Sequence, residues 1–456
     1  ASGGGLWSTP ANWNNGVPTN AGDVAYITNT LTVTATLTND VPVTLGTLRL
    51  GPSGFRYNFS ANSTVTMDSG GSGRAVLQQT GAMQNYGPDK LIMNSDLEIN
   101  NNGSTYFNLT GTIISGNHDI FINANGASGT PYVGGANAFI GNLTICSGKL
   151  MNTGSSDPFG SVTNGTRIIT ITNNAAFRLN GSFTMATNRL LVAGPGGAQL
   201  DMNAKTLTIN RNDQVAGTNT LSILNSVGGG GTVVLGGTND NLTGSVLLNN
   251  GVTLRLNANG ALNGVPVLNL SQSACILDAS AKTGGYWVSS NQVLAGIGVV
   301  SGLVSTATAG AVIHPGSYAL PGPARSPGIL TLTGGLVVTN GGSFAWDLAQ
   351  LKDNAYSPGT TTYSQLGVTG DVSLAGGTLS VSFLNGIDTP ASTNAFWKTN
   401  HVWTVISAAA PPAGTLDVVS GVYSNWMFTT RVNGNTLELV YAPYTPPQKG
   451  TFLSLF

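Results

Sequence analysis

The chain has 456 residues, of which only 8% are charged and 63 are glycine, so asparagine, serine and threonine must supply most of its polar surface. An average soluble domain carries roughly 25% charged residues. With a formal net charge of −1 and 17 Lys and Arg scattered singly, no basic patch exists for a phosphate backbone or an acidic lipid surface, which excludes nucleic acid as a partner class.

Residues 1–30 read as an N-terminal cap. The opening ASGGGLW has no basic segment followed by an apolar one, and Ala1 and Ser2 suit the mature end left by a signal peptidase, so an exported protein is expected. Trp7 and Trp13 stand together in this stretch. From 31 to 340 the chain is a succession of short alternating runs: LTVTATLT from Leu31, STVTM from Ser63, RIITIT from Arg167, KTLTI from Lys205, TVVL from Thr232 and VTLRL from Val252. Each has the two-residue period and β-branched content of a strand, and each is bounded by Gly or Asn turn signals. Val293 to Ile313 is long and uncharged, as a membrane span would be, but its Gly, Ser and Thr fall where tight turns separate short strands. No membrane span is expected.

Residues 341–443 read as a C-terminal β region and cap, with GTLSVSF from Gly377, NTLELV from Asn435, and the aromatic residues Trp397, Trp403 and Trp426. SFAWDLAQLKDNAY from Ser343 reads as a strand running into a loop. The rings at the two extremes of the chain are expected to plug the ends of the fold, sugar stacking being the alternative. Last comes 444–456, a Pro-rich spacer followed by the apolar strand TFLSLF. Its Phe452, Leu453, Leu455 and Phe456 have no later chain to cover them and are expected to mediate self-association by strand addition to a neighbour.

Two phrases recur. GGANAFIGNLTICSGKLMN, Gly134 to Asn152, and GGTNDNLTGSVLLNNGVTLRLN, Gly236 to Asn257, share GG-[AT]-N, then a glycine, an apolar run, another glycine and a Leu. A unit that cannot bury its apolar face alone must stack on copies of itself. For strands this short the expected fold is all-β: a right-handed parallel β-helix with aromatic-rich end caps and a C-terminal β module. A string of β-sandwich modules is the runner-up, disfavoured by the irregular strand spacing.

Chemistry-bearing residues are sparse. The glutamates are Glu98 and Glu438, and Asp201, Asp213, Asp240 and Asp278 form no D-x-D or D-D pair, so turn roles are expected for them. His118, His314 and His401 lack metal-ligand spacing, and His314 stands in IHPG, a turn signal. GGSGRAVLQ from Gly70 has Arg74 where a calcium-binding nonapeptide needs aspartate. No nucleophile elbow, Walker loop or dinucleotide fingerprint is visible, so no catalytic, cofactor-binding or metal-binding residue is expected. Cys146 and Cys275 should lie several rungs apart, beyond disulfide reach.

Leu6 to Ile27 (LWSTPANWNNGVPTNAGDVAYI), the two repeats with DPFGS from Asp157 and ALNG from Ala261, and the series LAGIGVVSGLV, IHPG, SPGILTLTGGLVV, YSQLGVTGDVSLAGGTLSVSF and VWTVI between Leu294 and Ile406 together carry a likeness. They resemble the autotransporter-associated β-strand repeat proteins, exported β-helix proteins of Gram-negative bacteria that include planctomycete and verrucomicrobial relatives. The resemblance implies a passenger-like β-helix. It departs from the family where a translocator barrel would follow Ile406. The function expected is a non-enzymatic structural protein, extracellular or on the outer cell surface, whose partner is itself. A carbohydrate-binding adhesin with surface glycans as partners is the alternative, and a polysaccharide-active enzyme the third reading.

Overall fold

The computed structural model describes residues 4–51, 54–71, 73–82, 85–124, 129–134, 137–154, 157–163, 165–306, 309–318, 325–339, 341–353, 362–390, 393–419 and 428–443. Among them the chain is a parallel β-solenoid, with helix confined to two 3-10 turns, Pro10–Asn12 and Ala395–Lys398. The chain forms two compact units, Ala1–Leu268 with Ala274–Asp278, and Asn269–Ser273 with Ala279–Phe456.

In the N-terminal unit, one parallel sheet collects nine strands from successive coils, starting with Val24–Ile27, Thr47–Leu50, Ala75–Gln79, Leu97–Asn101 and Ile120–Ala124. Strand starts at 24, 47, 75, 97 and 120 set coils of 22 to 28 residues. The pairing register stacks like on like. Ala25, Leu48, Leu77, Ile99, Ile122, Ile145, Ile171 and Ala193 form one inward column, all of it buried. A period of two sends each neighbour outward, which is why the runs alternate. Two further faces are built the same way, as in the ladders Val43–Val65 and Phe177–Leu200–Ile223.

The recurrent phrases specify corners. Asn137 Oδ1 accepts the Ile114 N–H at 2.9 Å, and its Nδ2 donates to the Gly134 and Pro158 carbonyls. Asn239 does the same at the second phrase, accepting from Val215 N at 2.9 Å and donating to the Gly237 carbonyl at 3.0 Å. Both are buried, so each amide satisfies a strand N–H belonging to the coil before it. The glycine that follows is a close approach: a Cβ on Gly141 or Gly244 would stand 1.9 Å from the carbonyl oxygen of His118 or Asn219. Among the described residues, seven of the nine non-glycine residues at positive φ are asparagine, the residue that best tolerates this region after glycine.

The C-terminal unit continues the same logic with larger side chains. Leu294, Ile313, Phe344, Leu379 and Val418 form its inward column. Val293–Ile313 is divided into Val293–Gly296, Val299–Ser301, Val304–Thr306 and the start of Val312–Tyr318, the turn-separated strands expected. In its own sheet, parallel stacking ends at His401–Ala408, which pairs antiparallel with Thr436–Tyr441, itself hairpinned to Phe428–Asn433, while Asp417–Val419 adds a last parallel strand to the neighbouring face.

Candidate functional site

Trp7 is almost wholly buried at the first turn and donates from Nε1 to the Pro18 carbonyl at 2.8 Å; Trp13 packs on it at 4.8 Å between ring centroids and donates to its carbonyl. Trp7 is thus a plug, and Trp13 a half-buried lid over it. At the closing hairpin, Trp403 and Trp397 are buried, with Nε1 groups donating to the Lys352 and Asp388 carbonyls at 2.7 and 2.9 Å. Trp346, Phe428 and Tyr441 complete that cluster, the Tyr441 hydroxyl donating to the Trp397 carbonyl. Trp426, Phe452, Leu453, Leu455 and Phe456 lie outside the described residues.

Beside the Trp7–Trp13 pair opens a cleft of about 490 Å³, walled by Trp13, Tyr26, Leu37 and Tyr57 and by the amides of Asn14 and Asn29, with no charged side chain in its lining. Two edge strands flank it. Gly5–Leu6 and Val24–Ile27 each stand last in their sheets, with no strand on the outer side among the described residues. The Asp23 and Ile27 carbonyls accept from Thr47 and Gly51 of the next coil. Because backbone groups alternate in direction along a strand, those of Val24 and Tyr26 face the open side. Their side chains are among the most exposed large apolar groups, at 50% and 59%.

The aspartates serve their own coils. Asp213, at φ 51°, accepts from the Asn241 N–H; Asp240 accepts from Asn263 Nδ2, and Asp278 from Arg255 Nε at 2.8 Å. Asp201 is buried against Arg178 at 3.5 Å. Asp23 caps the first corner by accepting from Thr19 N and Asn20 N, and those backbone hydrogen bonds hold its carboxyl below the ordinary value. No group of three or more His, Cys, Asp or Glu placed to hold a metal occurs among the described residues. Among the described residues no helix is long and apolar enough to cross a membrane. Cys146 and Cys275 form no disulfide.

One reading needs correction. His314 does not make a turn: IHPG runs through the strand Val312–Tyr318, where the ladder shifts register between Ala295 and Gly296. The shift absorbs the Pro-Gly pair within the strand, as bulges do. His314 is 1% exposed and its Nε2 lies 2.7 Å from Asp347 Oδ2, while Arg325 approaches the other carboxylate oxygen at 3.7 Å. Asp347 is wholly buried, with His314 and Arg325 beside its carboxylate where an exposed one would have water. Arg189 was equally hidden in the sequence. It is fully buried, bridging Asp157 at 3.2 Å and the carbonyls of Gly160 and Ser161, and so it clamps the DPFGS corner. Burial lowers its pKa and the Asp157 charge opposes that.

No family model matches the chain, and no curated protein matches its sequence.

Proposed function

We propose that this is a non-enzymatic structural protein of the cell exterior, belonging to the autotransporter-associated β-strand repeat type and associating with copies of itself into a filament or another ordered assembly. The observation that carries the reading is the uncharged, apolar outer face of Val24–Ile27, an edge strand with no strand beyond it among the described residues, in a chain whose charge is too low to keep neighbours apart. Soluble β proteins ordinarily guard such edges with charge, proline or a covering segment. The ionisable groups support the same reading, since the aspartates described above are engaged in corner bonds and ion pairs.

A second reading, a carbohydrate-binding adhesin, draws on the neutral cleft beside Trp13, whose rings and amides suit a sugar face. Negative-stain microscopy and sedimentation of the purified chain over a range of concentrations test the first reading. Filaments, sheets or discrete oligomers are expected; single particles at the highest concentration would reject it.

A further inference from the structure

Arg56 stands apart from the other arginines. Nine of the ten have a carboxylate, carbonyl or hydroxyl partner, from Arg49 on Thr80 Oγ1 at 3.3 Å to Arg431 on Glu438 at 2.8 Å. Arg56 has neither a hydrogen bond nor an ion pair among the described residues; its guanidinium lies over the Tyr86 ring, 4.8 Å from the centroid. A ring face fixes the plane of the fork and takes none of its hydrogen bonds. Arg56 lines a cleft of about 200 Å³ on the N-terminal unit, where Asn58, Tyr86 and Asn108 come from three successive coils and Asp89 and Thr112 from the corners that follow. No lining residue is shared with the cleft beside Trp13. Arg56 Nε and Asn58 Oδ1 are covered without a hydrogen bond, so this wall is short of polar partners. A row of rings continues from it. Tyr86 pairs in register with Asn108, and Asn108 with Tyr132 of the next coil. Tyr106, two residues before Asn108 and therefore on the same outward face, is 41% exposed and packs edge-on against Tyr132 at 4.5 Å between centroids.

We propose that this face binds an acidic polysaccharide, with the carboxylate of one uronic acid residue on Arg56 and the neighbouring sugars laid along Tyr106 and Tyr132. The site goes beyond self-association and does not rest on it. A guanidinium fork matches a carboxylate through two parallel hydrogen bonds, and no protein acid within ion-pair distance competes for this one. Asn58, Asn108 and Thr112 supply neutral groups for sugar hydroxyls. Asp89 accepts the Asn62 N–H on one oxygen and offers the other to a hydroxyl. Rungs lie ~4.8 Å apart, a spacing close to the length of one sugar residue, so a glycan running along the coils meets about one rung per residue. A small free acid would use Arg56 and leave the tyrosine row idle.

Titration calorimetry tests it, with hexagalacturonate and hexamannuronate as probes, each compared with its uncharged methyl ester. At least one acid oligomer is expected to bind, and its ester at least about tenfold more weakly. Arg56→Gln should weaken the acid oligomer by the same factor and leave thermal unfolding unchanged, since no protein partner is lost. Arg56→Lys, a point charge without the fork, should recover only part of the affinity. Tyr106→Ala should weaken the hexamer about threefold or more through lost stacking. Failure of both acid oligomers to bind, or equal binding by the parent and Arg56→Gln, would overturn the proposal. Equal affinity for acid and ester would assign the cleft to a neutral sugar, and full affinity in Tyr106→Ala would leave a pocket for a lone carboxylate. Either result overturns the acidic-glycan site.

Discussion

The first turn and the closing hairpin both cover solenoid core, in opposite ways. The hairpin turns the chain back on itself, buries Trp397 and Trp403 under Phe428 and Tyr441, and sets a charged pair on its outer strand. The first turn buries one tryptophan, half covers the second, and has two parallel edge strands with no strand on their outer side among the described residues. Plugging a core and closing an edge are therefore separable tasks. Aromatic rings accomplish the first; only a pairing partner or a change of strand direction accomplishes the second.

Substitution should expose the asymmetry. The largest loss is expected for Trp403→Ala, about 3 to 5 kcal/mol within the C-terminal unit, because the ring is wholly enclosed and its Nε1 bond disappears with it. Hydrogen exchange across His401–Ala408 would report it, and unchanged protection would show that the hairpin closes the unit without its core. A mid-coil reference is Asn239→Ala, expected to cost about 1 to 3 kcal/mol by stranding the Val215 N–H. Denaturant unfolding followed at that coil measures it. Trp13→Ala should cost only about 1 kcal/mol, since the ring is half-covered and Trp7 remains beneath it. A loss as large as that of Trp403→Ala would break the comparison. Acid gives the smallest effect. Burial raises the Glu438 carboxyl, but hydrogen bonds from Asn433 and Arg431 outweigh it and leave it below its ordinary 4.5. A depressed folded value means that the stabilisation is complete above about 4.5 and fades as pH falls through the folded pKa. Glu438→Gln should remove that acid-limb dependence from hairpin exchange rates and leave the neutral-pH limb flat.

Much of the fold could be read in advance because its information is local. Alternation in STVTM or KTLTI fixes which side chains turn inward, and the resulting columns follow once the coils stack. The Asn of GG-[AT]-N was recognisable as a corner residue, though not its reach into the preceding coil. What stayed hidden depends on partners one coil away. His314 and Asp347 are 33 residues apart and meet only after two strands stack; Arg189 finds Asp157 32 residues earlier. A lone ionisable residue has no periodicity to announce that it is buried. The cleft beside Trp13 was legible only in part: Trp7 and Trp13 stood out, whereas Leu6, Val24 and Tyr26 look like ordinary strand residues until the structure sets them at sheet edges.

The corner asparagines also bear on how such a chain changes length over generations. Asn137 serves Ile114 and Asn239 serves Val215, so at these two corners a coil holds the bond that completes its predecessor. A deletion of a few residues would orphan one such bond and tilt a column. Loss or duplication of a whole segment of 22 to 28 residues would instead keep the strand columns in register. Whole coils are accordingly the step in which a gene of this kind can lengthen or shorten while its product still folds.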